Sequence, residues 1–242
     1  MPHLPEWIVD TIENVLSSKF FDTEVVSKSL INPEILKVTF KADLQNMIFH
    51  PGWAVMLRAG TNDLRHYTIS LFDRERGYFD IIFHIHGDAP GSNLAAKMEV
   101  GDIFKMAVPG GKKMYVSEQM HHFFFGDETS LSLMLILIDE LKKYNGSYYG
   151  ILESRPQNKG LPSLMGISME AVLRTPETPG LQAINKLRQL INQSAFSLNN
   201  TVFYLTGNVA SVQAFRKELK KTGINPKNIK LQGYWAEDSV GL

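Results

Sequence analysis

The chain has 242 residues, 44% of them hydrophobic, with 25 basic side chains balanced by 25 acidic ones and no cysteine. That length holds one large domain or two modest ones, and a formal net charge of zero gives no global attraction to nucleic acid or anionic lipid. Without a thiol the chain carries no disulfide, thiolate zinc site, cysteine nucleophile or cysteine-ligated iron–sulfur cluster.

Met1-Pro2-His3-Leu4-Pro5-Glu6 lacks the basic and apolar regions of a secretory signal. Residues 5–17 follow as a predicted amphipathic helix, with Ile8, Ile12, Val15 and Leu16 on one stripe and Asp10, Glu13 and Asn14 elsewhere. From residue 24 to about 117 the pattern changes to short β segments, clearest at 36–40, 54–57, 67–71 and 78–83. Turn signals at Asn32-Pro33, Pro51-Gly52 and Arg76-Gly77 separate them. Strands so closely spaced predict an antiparallel barrel. After Tyr115 strands alternate with helices: strands at 122–125, 148–152, 202–205 and 229–231, helices at 129–144, 180–193 and 210–222. This rhythm predicts a parallel sheet with helices on both faces. The boundary is expected at 116–120, giving domains of residues 1–117 and 118–242. The most apolar run, residues 131–138, is flanked by acids and too short to span a bilayer, so a cytoplasmic protein is expected.

Three blocks carry chemistry. In Arg65-His66-Tyr67-Thr68-Ile69-Ser70, alternation puts Arg65 and Tyr67 on one strand face. A guanidinium fork suits pyrophosphate, a tyrosine ring can stack on a flavin, and the Thr68 hydroxyl can reach the ring's polar edge. Next come Phe83-His84-Ile85-His86-Gly87 and Pro90-Gly91-Ser92-Asn93-Leu94. Ser92 is expected as the N-cap of a helix over 93–98, whose free amides face an anion, while Gly91 lets the backbone come close to a ligand. His84 and His86 share a face, but no third ligand has metal-site spacing; no metal is expected, and His86 is better placed beside a flavin.

The third block, Gly126-Asp127-Glu128-Thr129-Ser130, lies where a strand leads into a helix, as ligand-binding loops of parallel sheets do. Its carboxylates would repel a nucleotide phosphate, and a capping role is the alternative. Glu153 stands where an acid could bond a ribose diol, and Arg155 and Lys159 where a 2′-phosphate could be neutralised, so NADH and NADPH both stay open. Tyr234 and Trp235 could cover a flat cofactor or seal a domain interface.

Taken in order, these blocks resemble the siderophore-interacting protein family, flavin-dependent ferric-siderophore reductases of the ferredoxin-reductase-like superfamily. Arg65-His66-Tyr67-Thr68 is similar to its R-x-Y-T, Phe83-His84-Ile85-His86-Gly87 to its F-V-L-H-G, and Gly91-Ser92-Asn93-Leu94-Ala95 to its A-S-x-W-A. Gly126-Asp127-Glu128-Thr129-Ser130 is similar to G-D-E-T-A, Leu205-Thr206-Gly207-Asn208 with 215–219 to A-G-E…R-x-x-L, and Gly233-Tyr234-Trp235 to G-Y-W. The resemblance covers about residues 20–236.

It implies a six-stranded FAD-binding barrel, a C-terminal NAD(P)H-binding-like α/β domain, and electron transfer in the cleft they share. The cofactor contacts implied are Arg65, His66, Tyr67, Thr68, Ser70, His84, His86, Gly87, Gly91, Ser92, Asn93, Leu94, Thr129, Ser130, Tyr234 and Trp235. Gly126, Asp127, Glu128, Glu153, Arg155 and Lys159 are the nucleotide candidates. NAD(P)H, or a ferredoxin, would reduce FAD, which would pass electrons to Fe(III) in a siderophore or other ferric chelate and so release Fe(II). No side chain is expected to be catalytic in itself, and the protein is expected to be a monomer without nucleic-acid or membrane partners.

The chain departs from the family pattern at Leu94, at Asn208, and at Ala236-Glu237-Asp238, where arginines usually follow G-Y-W. The acidic tail fits a neutral or cationic chelate, and Arg58, Lys112, Lys113 and Lys159 are other sources of positive charge. The alternatives are a general flavin or ferredoxin reductase and a non-enzymatic flavin- or siderophore-binding module.

Overall fold

The structure, a computed structural model, describes residues 19–60, 63–116, 121–193 and 198–237. The expected helix over 5–17 and most of the expected boundary lie outside them. The described residues divide after Lys113 into two compact units. No helix among them is long and apolar enough to cross a membrane.

The first unit is a closed barrel of β1 (Phe20–Asn32), β2 (Ile35–Lys41), β3 (Ala54–Gly60), β4 (Asp63–Asp73), β5 (Tyr78–His84) and β6 (Ile103–Gly110), in the order β1-β2-β5-β4-β3-β6. Every neighbouring pair is antiparallel, as the strand spacing predicts. Alternation builds the core: in β2, Val38 and Phe40 are buried between the outward Lys37, Thr39 and Lys41. They join Val25, Val55, Leu57, Ile69, Phe79, Ile81 and Met106, each fully buried apolar side chain being worth about 1.5–3 kcal/mol. Helix α1 (Pro90–Lys97) adds Ala95 to that core, joined by Met98 just beyond it. Its C-terminus is held by Lys28, whose Nζ donates to the carbonyls of Ala96 and Met98, each at 2.7 Å.

The helix begins earlier than expected. Pro90 occupies its first turn and Ala89 is the N-cap, without a side-chain cap bond. Proline presets the helical φ and has no N–H to satisfy there, so Ser92 lies inside the first turn rather than ahead of it.

The second unit is a five-stranded sheet of β7 (His121–Gly126), β8 (Ser147–Ser154), β9 (Glu170–Leu173), β10 (Thr201–Asn208) and β11 (Ile229–Trp235), ordered β11-β10-β7-β8-β9. All four pairings are parallel. Its helices are α2 (Leu131–Lys143), α3 (Leu161–Leu164), α4 (Leu181–Asn192) and α5 (Val209–Lys221). Phe123, Phe125, Ile151, Phe203 and Leu205 pack on one face against Ala183 and Leu187 of α4 and Val212, Phe215 and Leu219 of α5. Helix α2 takes the other face, where the Met134 methyl lies 3.0 Å from where a Cβ on Gly126 would sit. The chain runs outward from β7 in one direction and from β10 in the other. The carboxyl ends of these two central strands therefore form a topological switch point, where open α/β sheets bind ligands.

Candidate cofactor and nucleotide sites

In the barrel unit, β4 pairs with β3 so that Arg65 faces Leu57, His66 faces Met56, Tyr67 faces Val55 and Thr68 faces Ala54. Opposed residues share a sheet face. Arg65 and Tyr67 therefore project with the core residues Leu57 and Val55, while His66 is exposed. The guanidinium is held by Asp63, whose Oδ1 accepts from Nη2 at 2.8 Å, and by the Leu64 carbonyl at 3.0 Å. Two of the five N–H donors of an arginine are thereby used, and the group is aimed rather than left to sweep solvent. Tyr67 packs on Phe83 with ring centroids 4.7 Å apart. Burial pushes its phenol up to about 12, against the pull of the Arg65 charge, so it stays a protonated donor at neutral pH.

The first turn of α1 meets this pair. A Cβ on Gly91 would lie 2.1 Å from the Tyr67 hydroxyl and 3.8 Å from Cγ of Arg65; only glycine allows so close an approach. The amides of Gly91 and Ser92 lie in that turn, which has no preceding helical carbonyl to bond. Ser92 is buried, and its Oγ accepts from the His86 backbone N–H at 2.7 Å, leaving its own proton to donate. The motif blocks around residues 65 and 91, expected to act together, are brought into contact, and Thr68 sits half-buried one position beyond Tyr67.

Other residues of these blocks have structural partners. The Ser70 hydroxyl donates to the Asp80 carbonyl at 3.0 Å, tying β4 to β5. His84 Nε2 lies 3.5 Å from Glu34 Oε2, and the His84 and His86 rings are 4.8 Å apart. Gly87 takes the left-handed φ of 53°, Asn93 donates to Asp88 Oδ1 at 3.0 Å, and Leu94 packs on the barrel core.

At the switch point of the sheet unit, Asp127 is buried and is the N-cap of a 3-10 turn over Glu128–Ser130. Its Oδ1 accepts from the Thr129 N–H at 2.9 Å and from the Thr129 hydroxyl, and its Oδ2 from the Asn208 N–H at 2.8 Å and Trp235 Nε1 at 2.7 Å. Ser130 Oγ accepts in return from the Asp127 N–H, completing a capping box. Burial pushes the Asp127 carboxyl up, and the bond from the Thr129 hydroxyl pulls it back. Two glycines make room: a Cβ at Gly207, with φ of 101°, would lie 2.6 Å from the Asp127 carboxyl carbon, and one at Gly126 would lie 2.4 Å from Ser130 Oγ.

Glu128, also buried, reaches sideways. Its Oε1 accepts from the Arg155 N–H at 2.7 Å and from Asn158 Nδ2 at 3.0 Å, and its Oε2 lies 3.5 Å from Arg174 Nη1. Glu153 accepts from the Gly180 N–H at 2.8 Å and from the Ser211 hydroxyl; burial pushes its carboxyl up against both bonds. Asp127 and Glu153 thus spend both carboxylate oxygens on the protein's own donors, while Glu128 Oε2 is buried with only the Arg174 charge beside it and no hydrogen bond among the described residues. Arg155 enters through its backbone with a half-buried side chain, Lys159 is exposed, and Tyr234 is half-buried on β11. Trp235 is held on its edge by Asp127 and on its face by Arg174, whose guanidinium carbon lies 5.0 Å from the ring centroid.

Beside this network opens a cavity of about 240 Å³, lined by Arg174, Pro179, Asn208, Ser211 and Glu237 among others. Sequence reasoning missed Arg174 because it missed β9, a strand of only four residues with exposed ends. The signal available was the Asn208-Val209-Ala210-Ser211 step, an N-cap residue followed by a helix: Asn208 Oδ1 accepts from the Ser211 N–H at 3.1 Å.

Two family models match the chain: the siderophore-interacting protein model over residues 119–238 and the siderophore-interacting FAD-binding domain over residues 37–113. No curated protein sequence matches it. Among solved structures, the siderophore-interacting protein SipS from Aeromonas hydrophila is 17% identical with a TM-score of 0.72, over 92% of this chain and 93% of that one. A siderophore utilization protein from T. fusca is 21% identical with a TM-score of 0.73, over 93% and 95%. Ferredoxin-NADP+ reductase from Plasmodium falciparum is 12% identical with a TM-score of 0.73, over 90% and 97%. At such identities these structures share the fold.

Proposed function

We propose, for a chain that belongs to the siderophore-interacting protein family, an FAD-dependent ferric-chelate reductase. Electrons would come from NAD(P)H or a ferredoxin, and Fe(III) in a siderophore or similar chelate would be reduced and released as Fe(II). The barrel unit is the FAD-binding domain in this reading, and the sheet unit the nucleotide-binding one.

The observation that carries it is the contact made at Gly91. A cation, a phenol and a helix N-terminus, three groups suited to a dinucleotide's pyrophosphate and planar ring, meet where a single added methyl would not fit. The donor set therefore fits FAD. Bound FAD supplies the electron-pair and single-electron chemistry that no side chain offers. Arg65, already aimed by Asp63, would bind the pyrophosphate, and the amides of Gly91 and Ser92 with the Ser92 hydroxyl would complete the anion cradle. Tyr67 would pack against the planar ring, and Thr68 would bond its polar edge. Oxygen chelators hold the less charged Fe(II) far less tightly than Fe(III), so the protein needs no acid or base to free the metal.

Anaerobic mixing tests the reading. The FAD-loaded protein should bleach at the flavin absorption maximum with a reduced pyridine nucleotide or ferredoxin. It should then recover colour on adding a ferric chelate, with Fe(II) appearing in a colorimetric trap. Recovery with free flavin or ferredoxin but no ferric chelate would make it a general reductase. No bleaching with any donor would make it a passive carrier.

A further inference from the structure

The cavity beside the sheet's carboxyl edge is smaller than the ~300–1,000 Å³ that encloses a whole drug-sized ligand, so it suits one end of a dinucleotide. Its walls mix apolar surface from Pro176, Pro179, Val209 and Ala236 with a few polar groups, as a flat base on a ribose requires. Most of those polar groups are already committed. Ser211 donates its hydroxyl to Glu153, and the Asn208 side chain accepts from the Ser211 N–H. Arg174, with a side chain only 12% exposed, is drawn towards the fully buried carboxylate of Glu128 and stacked on Trp235.

Glu237 differs. It is exposed at the cavity wall and has no ion pair or hydrogen bond among the described residues. The free charge offered to a ligand is therefore negative, while the one cation of the wall is neutralised from behind. A vicinal diol gives a carboxylate two O–H donors; a phosphate monoester brings nearly two negative charges against it.

We infer that this cavity takes the adenosine end of a pyridine dinucleotide with a free ribose 2′-hydroxyl, Glu237 accepting from the diol, so that NADH rather than NADPH is the donor. The inference rests on the pyridine-nucleotide reading above and adds the choice between the two nucleotides.

The test is equilibrium binding of 5′-AMP and adenosine 2′,5′-bisphosphate to the full chain. AMP should bind at least about tenfold more tightly, because opposing like charges is costly. Glu237→Gln should shrink that ratio, and Glu237→Arg should reverse it. Equal or tighter binding of the bisphosphate, or binding of neither, overturns the inference, as does a ratio unmoved in both variants. NADPH bleaching the bound flavin as fast as NADH would also overturn it while leaving the reductase standing. If neither nucleotide bleaches the flavin, the assignment of a pyridine-nucleotide donor falls, and NADH as donor with it.

Discussion

In the barrel unit the polar groups of the candidate site are donors with capacity left over: Arg65 aimed by Asp63, Ser92 with a proton to spare, and the amides of a helix turn. At the carboxyl edge of the sheet unit the polar groups are acceptors, every carboxylate oxygen but Glu128 Oε2 already served by a hydrogen bond. Asp127, Glu128 and Glu153 are buried and bonded to the protein's own N–H and O–H groups. Buried charge is tolerated only when paired or hydrogen-bonded, and the two units meet that condition differently. In one, bonds within the protein orient a cation and leave donors unspent; in the other they build the loop itself, with the cavity opening beside it.

The largest effect should come from emptying the served site. Asp127→Ala strips the Asn208 N–H, the Trp235 indole and Thr129 of their acceptor. Buried donors left unpaired cost about 1–3 kcal/mol each, so urea denaturation should show a loss of about 3 kcal/mol or more. A loss below about 1 kcal/mol would mean water replaces the carboxylate, and the contrast between the units would fail.

Arg65→Ala tests the ready site. Losing charge-assisted bonds to a pyrophosphate, worth about 1.5–3 kcal/mol each, should weaken FAD binding by about 100-fold with an unchanged far-ultraviolet circular dichroism spectrum. Undiminished affinity would remove Arg65 from the cradle.

Gly91→Ala sharpens the same point. The added methyl forces the Tyr67 hydroxyl away, and FAD affinity should drop about tenfold, roughly 1.4 kcal/mol. Adding Tyr67→Phe removes the clashing oxygen and should restore part of that loss; a double variant as weak as the single one would refute the packing explanation.

The smallest effect is a pH dependence. Burial raises the Glu153 pKa above its ordinary 4.5, so the folded chain holds a proton where the unfolded chain has lost it. Stability from this group is then complete below about 4.5 and declines as pH climbs through the raised value. A glutamine amide can accept from the Gly180 N–H and donate to Ser211 Oγ, keeping both bonds. Glu153→Gln should therefore match the parent at acid pH and be the more stable of the two at neutral pH, its urea midpoint rising relative to the parent as pH climbs. A constant difference in urea midpoint across that range would show that Glu153 does not titrate between the two states.

Much of this was legible in the chain. Alternation gave the barrel strands, and the strand–helix rhythm the parallel sheet, because both follow from period-2 and period-3.6 burial. Asp127 as a cap was one of two readings of its block, and Thr129 and Ser130 complete that cap. What escaped depends on tertiary packing. Ser92 looks like an N-cap by residue type, yet Pro90 starts the helix and Ser92 bonds the His86 amide instead. Glu128 carries no local sign that it will reach the exit of β8, since its partners Arg155 and Asn158 are about thirty positions away and meet it only once two parallel strands pair. Arg174 follows a strand whose four residues are too few to show alternation.

Titrating the folded, flavin-free protein with FAD, read by quenching of flavin fluorescence, bears most directly on the barrel unit as a dinucleotide cradle. Saturable binding of one FAD per chain, strongly weakened in Arg65→Ala, is the result expected. A folded protein that leaves the fluorescence of added FAD unchanged at every ratio would contradict it.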